Sequence, residues 1–496
     1  MTAYAELERR FRRLSALNGA LAVLNWDQSA MMPEGGAEAR AEQVATLGVI
    51  VHEHLADPEV AELLASAEEG AAALDPWRRA NLREMRRQQA HATALPAVLV
   101  DARARANSAC EMAWRAARAE NDFAALRPHL EEVLRLVREV AAAKAHAFGI
   151  DPYDALLDEY EPDGRAAEID GIFAELRDFL PDLLGRVLER QARAPRPLSP
   201  AGPFPVERQR ALGLRFMEAL GFDFHHGRLD VSLHPFTGGV PDDVRITTRY
   251  SEGDFTRALM GVLHETGHAL YERGLPGDWR TQPVGQSRGM ALHESQSLLV
   301  EMQVCRSDAF LDFAVPEMRR IFDAGGPAWE VENIAALYRR AARSLIRVDA
   351  DEVSYPLHVI LRYRLERAML AGDLAVADLP GAWNEGMERL LGIRPPDDRD
   401  GCLQDIHWPG GAFGYFPTYT LGALAAAQLY AAARERDGGI EPAIARGDFQ
   451  PLLRWLRREV HGRGSSLSTD GILRQATGAP LGTEAFRRHL EQRYLI

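Results

Sequence analysis

The chain has 496 residues, 46% of them hydrophobic and 26% charged, a usage that excludes a collagen, a disulfide mini-scaffold and a wholly disordered polymer. That length leaves room for more than one lobe. Fifty-eight basic residues against 72 acidic ones give a formal charge of −14, which offers no positive field to a phosphate backbone, so no nucleic-acid partner is expected.

In chain order, the segment from Met1 to Leu14 carries charges throughout, with no apolar block before a small-residue cleavage site. No secretory signal is expected. No run of about 18 uninterrupted apolar residues predicts a membrane span either. Helical patterns begin near Ala5 and Glu42. From Leu130 the apolar positions Val133, Leu134, Val137, Val140 and Ala141 draw one stripe along a helix, which Gly149 stops with Pro152 beyond. This run holds the only lysine, Lys144, flanked by Ala143 and Ala145. A GK[ST] phosphate loop is therefore absent, and lysine covalent chemistry is not expected.

Another helical pattern starts near Ile169, and then Pro195, Pro197, Pro200, Pro203 and Pro205 forbid helix. The lobe boundary is placed there, giving an N-terminal helical lobe over 1–205 and a catalytic lobe over 206–496. After a helix near Arg208, Val231 and Leu233 alternate with Ser232, and Val244, Ile246, Thr248 and Tyr250 alternate with polar residues. With Gly238, Gly239 and Pro241 between them, this predicts a small sheet or hairpin, able to hold an extended peptide beside the next helix. Further helices start near Phe255, Trp329, Tyr355 and Leu421, so the fold class is all-α apart from that sheet. Cys110, Cys305 and Cys402 are odd in number and far apart, which suits a reducing, cytoplasmic location.

The helix from Phe255 carries the HExxH pattern His264-Glu265-Thr266-Gly267-His268. Histidines at i and i+4 share one helical face and can bind one metal ion. Glu265, next to the first histidine, can take the proton of a water held by that metal and hand it to a leaving amine. A catalytic zinc site needs a third protein ligand. Glu294, in the run His293-Glu294-Ser295-Gln296-Ser297, is ranked first. His293 and Glu301 compete, the one turned by about 100° on the same helix and the other two turns further along.

Several motifs resemble, in order, those of the Taq-type family of thermostable metallocarboxypeptidases: His234-Pro235-Phe236, Asp243-Val244-Arg245-Ile246-Thr247, His264 to His268, His293 to Ser297, Ile346-Arg347-Val348-Asp349-Ala350-Asp351, and Gly401-Cys402-Leu403-Gln404-Asp405-Ile406-His407-Trp408. An early segment, Trp26-Asp27-Gln28 with Met32-Pro33, also fits. The resemblance spans nearly the whole chain without departing from a motif position. It implies a two-lobed helical zincin, of neurolysin-like architecture, with a deep cleft and a bound Zn2+, Co2+ or other divalent ion. It also implies a homodimer that removes C-terminal residues from peptides with broad specificity.

Within that resemblance, Arg347 is favoured to pair with a substrate's free carboxylate through a bidentate contact. An internal ion pair with Asp349 or Asp351 is its rival, and Arg245 is a second candidate. His234 and Gln404 are further substrate-binding candidates, Gln404 and Asp405 being alternatively positioners of a histidine. His407, Tyr415 and Tyr419, expected together on one loop through Gly410-Gly411, resemble the His and Tyr pair that stabilises the oxyanion in related helical peptidases. An endo-acting oligopeptidase on the same scaffold is the first alternative function. A catalytically silent helical binding protein that keeps its metal is the second.

Overall fold

The computed structural model describes residues 2–496, in which helices carry most of the chain and one three-stranded sheet stands beside them. Helices Ala3–Ala30, Pro58–Glu69 and Pro76–Thr93 enclose a small core of their own around Leu7, Phe11, Leu64 and Met85. The expected helix through Leu130 runs from Phe123 to Phe148 and ends on Gly149 in the left-handed conformation. Its stripe of Val133, Leu134, Val137 and Val140 is buried in the largest core. Lys144 is buried on the same helix and pairs with Glu159. No helix among the described residues is long and apolar enough to cross a membrane.

The proline-rich stretch lies outside regular structure, between helices Ala166–Arg193 and Val206–Leu220, as five fixed φ angles require. It interrupts the helices without separating the cores. The largest core joins Leu130, Phe173 and Leu184 to Leu357, Trp383, Leu421 and Leu490, from both sides of residue 205. A second core gathers helices Val206–Leu220, Phe255–Gly274, Met290–Leu298 and Asp308–Phe322. Helix Pro417–Arg436 serves both: Leu421, Leu424 and Ala427 face the first core, while Ala425, Ala426, Leu429 and Ala433 face the second. An apolar surface on every side is what a helix buried all round requires.

The sheet differs from a simple hairpin. Strand β1 (Gly227–Val231) pairs parallel with β3 (Asp243–Thr248), and β2 (Phe236–Val240) pairs antiparallel with β3, in the order β1-β3-β2. Gly238 and Gly239, expected in the turn, belong to β2, and the turn falls at Pro241-Asp242. Gly239 has φ +89°, and a Cβ there would sit 2.0 Å from the Asp243 carbonyl oxygen, so only glycine fits. Leu233 lies beyond β1 and is 79% exposed. Leu229, Val244 and Ile246 pack under the sheet against Val262 and Ala269 of helix Phe255–Gly274, which fixes the sheet beside the HExxH motif.

Candidate metal centre

Helix Phe255–Gly274 starts where the Asp254 carboxylate accepts the Thr256 N–H at 2.8 Å, satisfying one free donor of the first turn. At Gly267 it crosses helix Met290–Leu298 so closely that a Cβ would lie 2.4 Å from the Gln296 carbonyl oxygen. That approach sets Glu294 over the two histidines. His264 Nε2 lies 3.8 Å and His268 Nε2 3.4 Å from Glu294 Oε2, and the three ligand atoms fall within 4.8 Å of one another. Donors about 2.0–2.1 Å from a tetrahedral ion stand about 3.4 Å apart, so this set fits a divalent metal with one position left open. No other cluster of this kind occurs among the described residues.

The two rivals of Glu294 hold the histidines instead. His264 Nδ1 donates to Glu301 Oε2 at 3.0 Å, and the other Glu301 oxygen accepts Arg306 at 2.6 Å. Glu301 sits on a π-helical turn, Leu299–Val304, that continues the Glu294 helix. His268 Nδ1 donates to the His293 carbonyl at 3.1 Å, and the His293 ring, 2.9 Å from Glu272, lies against it. Both Nε2 atoms are thereby left free as ligands. Burial works against a charged His264, yet Glu294 and Glu301 outweigh it and push the ring up to about 10. Burial likewise resists a charged Glu294, but His264 and His268 bring it down to about 2.

Glu265 is buried, and the Thr237 hydroxyl of β2 donates to its Oε2 at 2.7 Å and to its backbone oxygen at 3.0 Å. The sheet wall thus fixes the carboxylate beside the ligands. No sequence motif marked Thr237, because its role depends on the register of β2 against the helix.

On the other wall, Arg347 opens the turn Arg347–Asp349 and is buried. An internal ion pair exists, with a partner other than the two expected. Arg347 Nε and Nη2 contact Asp405 Oδ1 at 3.0 and 2.8 Å, while Asp349 pairs with Arg257 and Asp351 caps the Val353 and Ser354 amides. Arg362, 0% exposed, takes the other Asp405 oxygen at 2.6 Å. Two guanidiniums thus share one carboxylate, leaving one positive charge unbalanced. Gln404 is fully engaged inside the protein. Its Oε1 accepts from Arg347 N and Arg362 Nη2, and its Nε2 donates to the carbonyls of Leu345, Asp400 and Gly401. It braces Arg347 through that residue's backbone N–H.

Arg245 is likewise occupied, paired with Asp243 at 2.6 Å and stacked 4.3 Å from the Trp26 ring. It fastens helix Ala3–Ala30 to the sheet. His234 is exposed, and its backbone carbonyl accepts the Ser232 hydroxyl at 2.5 Å. His407 and Tyr415 lie in the irregular stretch before helix Pro417–Arg436, but Tyr419 is on that helix, contrary to the single-loop expectation. His407 Nε2 is 3.1 Å from the Tyr419 hydroxyl. Burial holds His407 down to about 4, so it is neutral at pH 7. Gly422, one turn beyond Tyr419, lies where a Cβ would meet Glu294 Cβ at 2.8 Å, which brings this helical face onto the metal cluster. Burial and then Glu294 push Tyr415 up to about 12, so its phenol keeps a proton to donate. Tyr355, 2.8 Å from Arg347 Nη1, completes an aromatic rim that sequence reading missed.

An HExxH helix with a glutamate from the next helix, set in an almost wholly helical frame, defines a helical metallopeptidase. The chain matches the family described as carboxypeptidase Taq (M32) metallopeptidase over residues 6–494, and it belongs to that family of metal-dependent carboxypeptidases. It is 42% identical to thermostable carboxypeptidase 1 of Thermus thermophilus, over 99% of this chain and 97% of the relative. With thermostable carboxypeptidase 1 of Pyrococcus furiosus it shares 35% identity over 98% and 97%. Among solved structures, Trypanosoma cruzi metallocarboxypeptidase 1 superposes with a TM-score of 0.98 at 43% identity, covering 100% of this chain and 99% of that one. The M32 carboxypeptidase of Deinococcus radiodurans gives 0.93 at 37%, covering 99% and 98%.

Proposed function

We propose that this carboxypeptidase uses zinc, held by His264, His268 and Glu294, to remove C-terminal residues of broad identity from peptides in a reducing cytoplasm. Two imidazoles and one carboxylate suit zinc. The three cysteines, all buried and unbridged, suit the compartment. When bound, the ion supplies Lewis acidity to the scissile carbonyl and to the attacking water. Glu265 accepts that water's proton on its carboxylate and returns it to the departing amine nitrogen, with Thr237 holding the carboxylate in line. Tyr415 and Tyr419, the latter oriented by His407, donate to the carbonyl oxygen as negative charge develops on it.

The observation that carries the reading is the pair of buried arginines on one Asp405. A free terminal carboxylate entering beside Arg347 and Tyr355 balances the remaining charge, whereas an internal peptide bond brings none. Leaving a buried charge unpaired costs about 2–5 kcal/mol, so C-terminal amidation of one test peptide should lower kcat/KM by at least about 30-fold, while blocking its N-terminus changes little. Arg347→Ala should abolish the difference without releasing metal, because Asp405 keeps Arg362. Equal cleavage of both peptides, with internal fragments in the mass spectrum, would establish the endo-acting alternative.

A further inference from the structure

Glu366 is buried with 0% exposure on helix Tyr355–Ala371, and no step above uses it. Its Oε1 accepts the Tyr153 hydroxyl at 2.5 Å and the Gly414 N–H at 3.3 Å. Its Oε2 accepts the Trp408 indole N–H at 3.1 Å. Trp408 directly follows His407, and Gly414 directly precedes Tyr415. A single carboxylate therefore ties both ends of the irregular excursion that separates His407, which orients Tyr419, from Tyr415, which stands near Glu294.

The excursion's other hydrogen bonds are of a different kind. Gly411 N and Ala412 N close local turns onto Trp408 and His407, and Asn107 from an outer helix donates to the Gly410 carbonyl at 2.9 Å. None of them spans from one end to the other. At Gly414 the backbone passes so close to helix Pro152–Leu157 that a Cβ would lie 2.9 Å from Leu157 N, with φ at +88°. That same helix supplies Tyr153. A buried carboxylate is costly where packing alone is needed, since an apolar side chain fills the space without desolvating a charge. Burial indeed pushes Glu366 up to about 7 against the pull of its three donors.

We propose that Glu366 is a positioning residue for the reaction, fixing the distance between His407 and Tyr415 by holding Trp408 and Gly414. This rests on the reading above, in which Tyr415 donates to the developing oxyanion and His407 orients Tyr419 to do the same. Displacing a catalytic group by about 1 Å costs up to about 100-fold. Glu366→Gln, which places an N–H2 among three donors, should therefore lower kcat about 10- to 100-fold, with KM within about 2-fold and a full metal complement.

A merely structural role would lower activity by the same factor in every background, so the test is a double-mutant cycle. In His407→Gln or Tyr415→Phe backgrounds, Glu366→Gln should cost under about 3-fold. Should Glu366→Gln fail to fold, Trp408→Phe removes one donor, keeps the aromatic volume and enters the same cycle. Strict additivity, or an unchanged kcat in the Glu366 and Trp408 variants, overturns the proposal while leaving the function above intact. If instead His407→Gln and Tyr415→Phe are themselves silent, the oxyanion reading fails, and the proposal falls with it.

Discussion

At the scale of single residues, the proposed base and the proposed ligands can be separated by experiment. Glu265→Gln removes the proton acceptor and leaves His264, His268 and Glu294 in place. It should keep stoichiometric metal by elemental analysis while turnover falls about 10²- to 10⁴-fold. Glu301→Ala should behave oppositely, weakening metal affinity about 10- to 100-fold in chelator competition, because His264 loses the acceptor that aims its Nε2. His358 gives a pH prediction. Its ring is fully buried, and burial, then Arg362, holds it down to about 3. With an unfolded value near 6.5, the neutral ring contributes stability that is complete above about pH 6.5 and is lost as pH falls toward 3. His358→Leu should therefore flatten the acid side of the stability curve by about 1.4 kcal/mol per pH unit between pH 6 and 4, read from denaturant midpoints of paired proteins. Identical slopes would show that the ring is already protonated in the folded state.

At the scale of elements, the site depends on two helices meeting at Gly267. Gly267→Ala should push helix Met290–Leu298 away, costing about 1–3 kcal/mol and weakening metal binding although no ligand changes, as thermal melts with and without added zinc would show. Such crossings also mark where sequence reading stops. The i, i+4 spacing of His264 and His268 is a local property, so both ligands and the helix bearing them are readable directly, as are the stop at Gly149 and the break at the prolines. Glu301 reads as a rival ligand because spacing along a helix does not tell which ring nitrogen a carboxylate meets. Asp405 stands 58 positions from Arg347, and nothing local singles it out from Asp349 or Asp351. Gly238 and Gly239 read as a turn because glycine permits turns. They form a strand because β3 needs a partner whose backbone passes close at Asp243.

At the scale of the molecule, the hydrophobic cores differ in what they secure. Helix Ala37–Ala56 buries no residue, and the small N-terminal core it accompanies stands apart from the two that share helix Pro417–Arg436. Amide exchange followed by mass spectrometry should therefore be fastest over 37–56 and slowest over 421–433, since a segment opens most readily where it buries least apolar surface. Uniform protection across both segments would contradict that ranking. The shared helix has a further consequence, for inheritance. A fragment ending near residue 205 would carry one side of the largest core and none of the metal ligands, and the remainder would expose the other side. Neither piece is an exchangeable module that recombination could graft onto another protein. The relatives accordingly align over 98–99% of this chain rather than over one half.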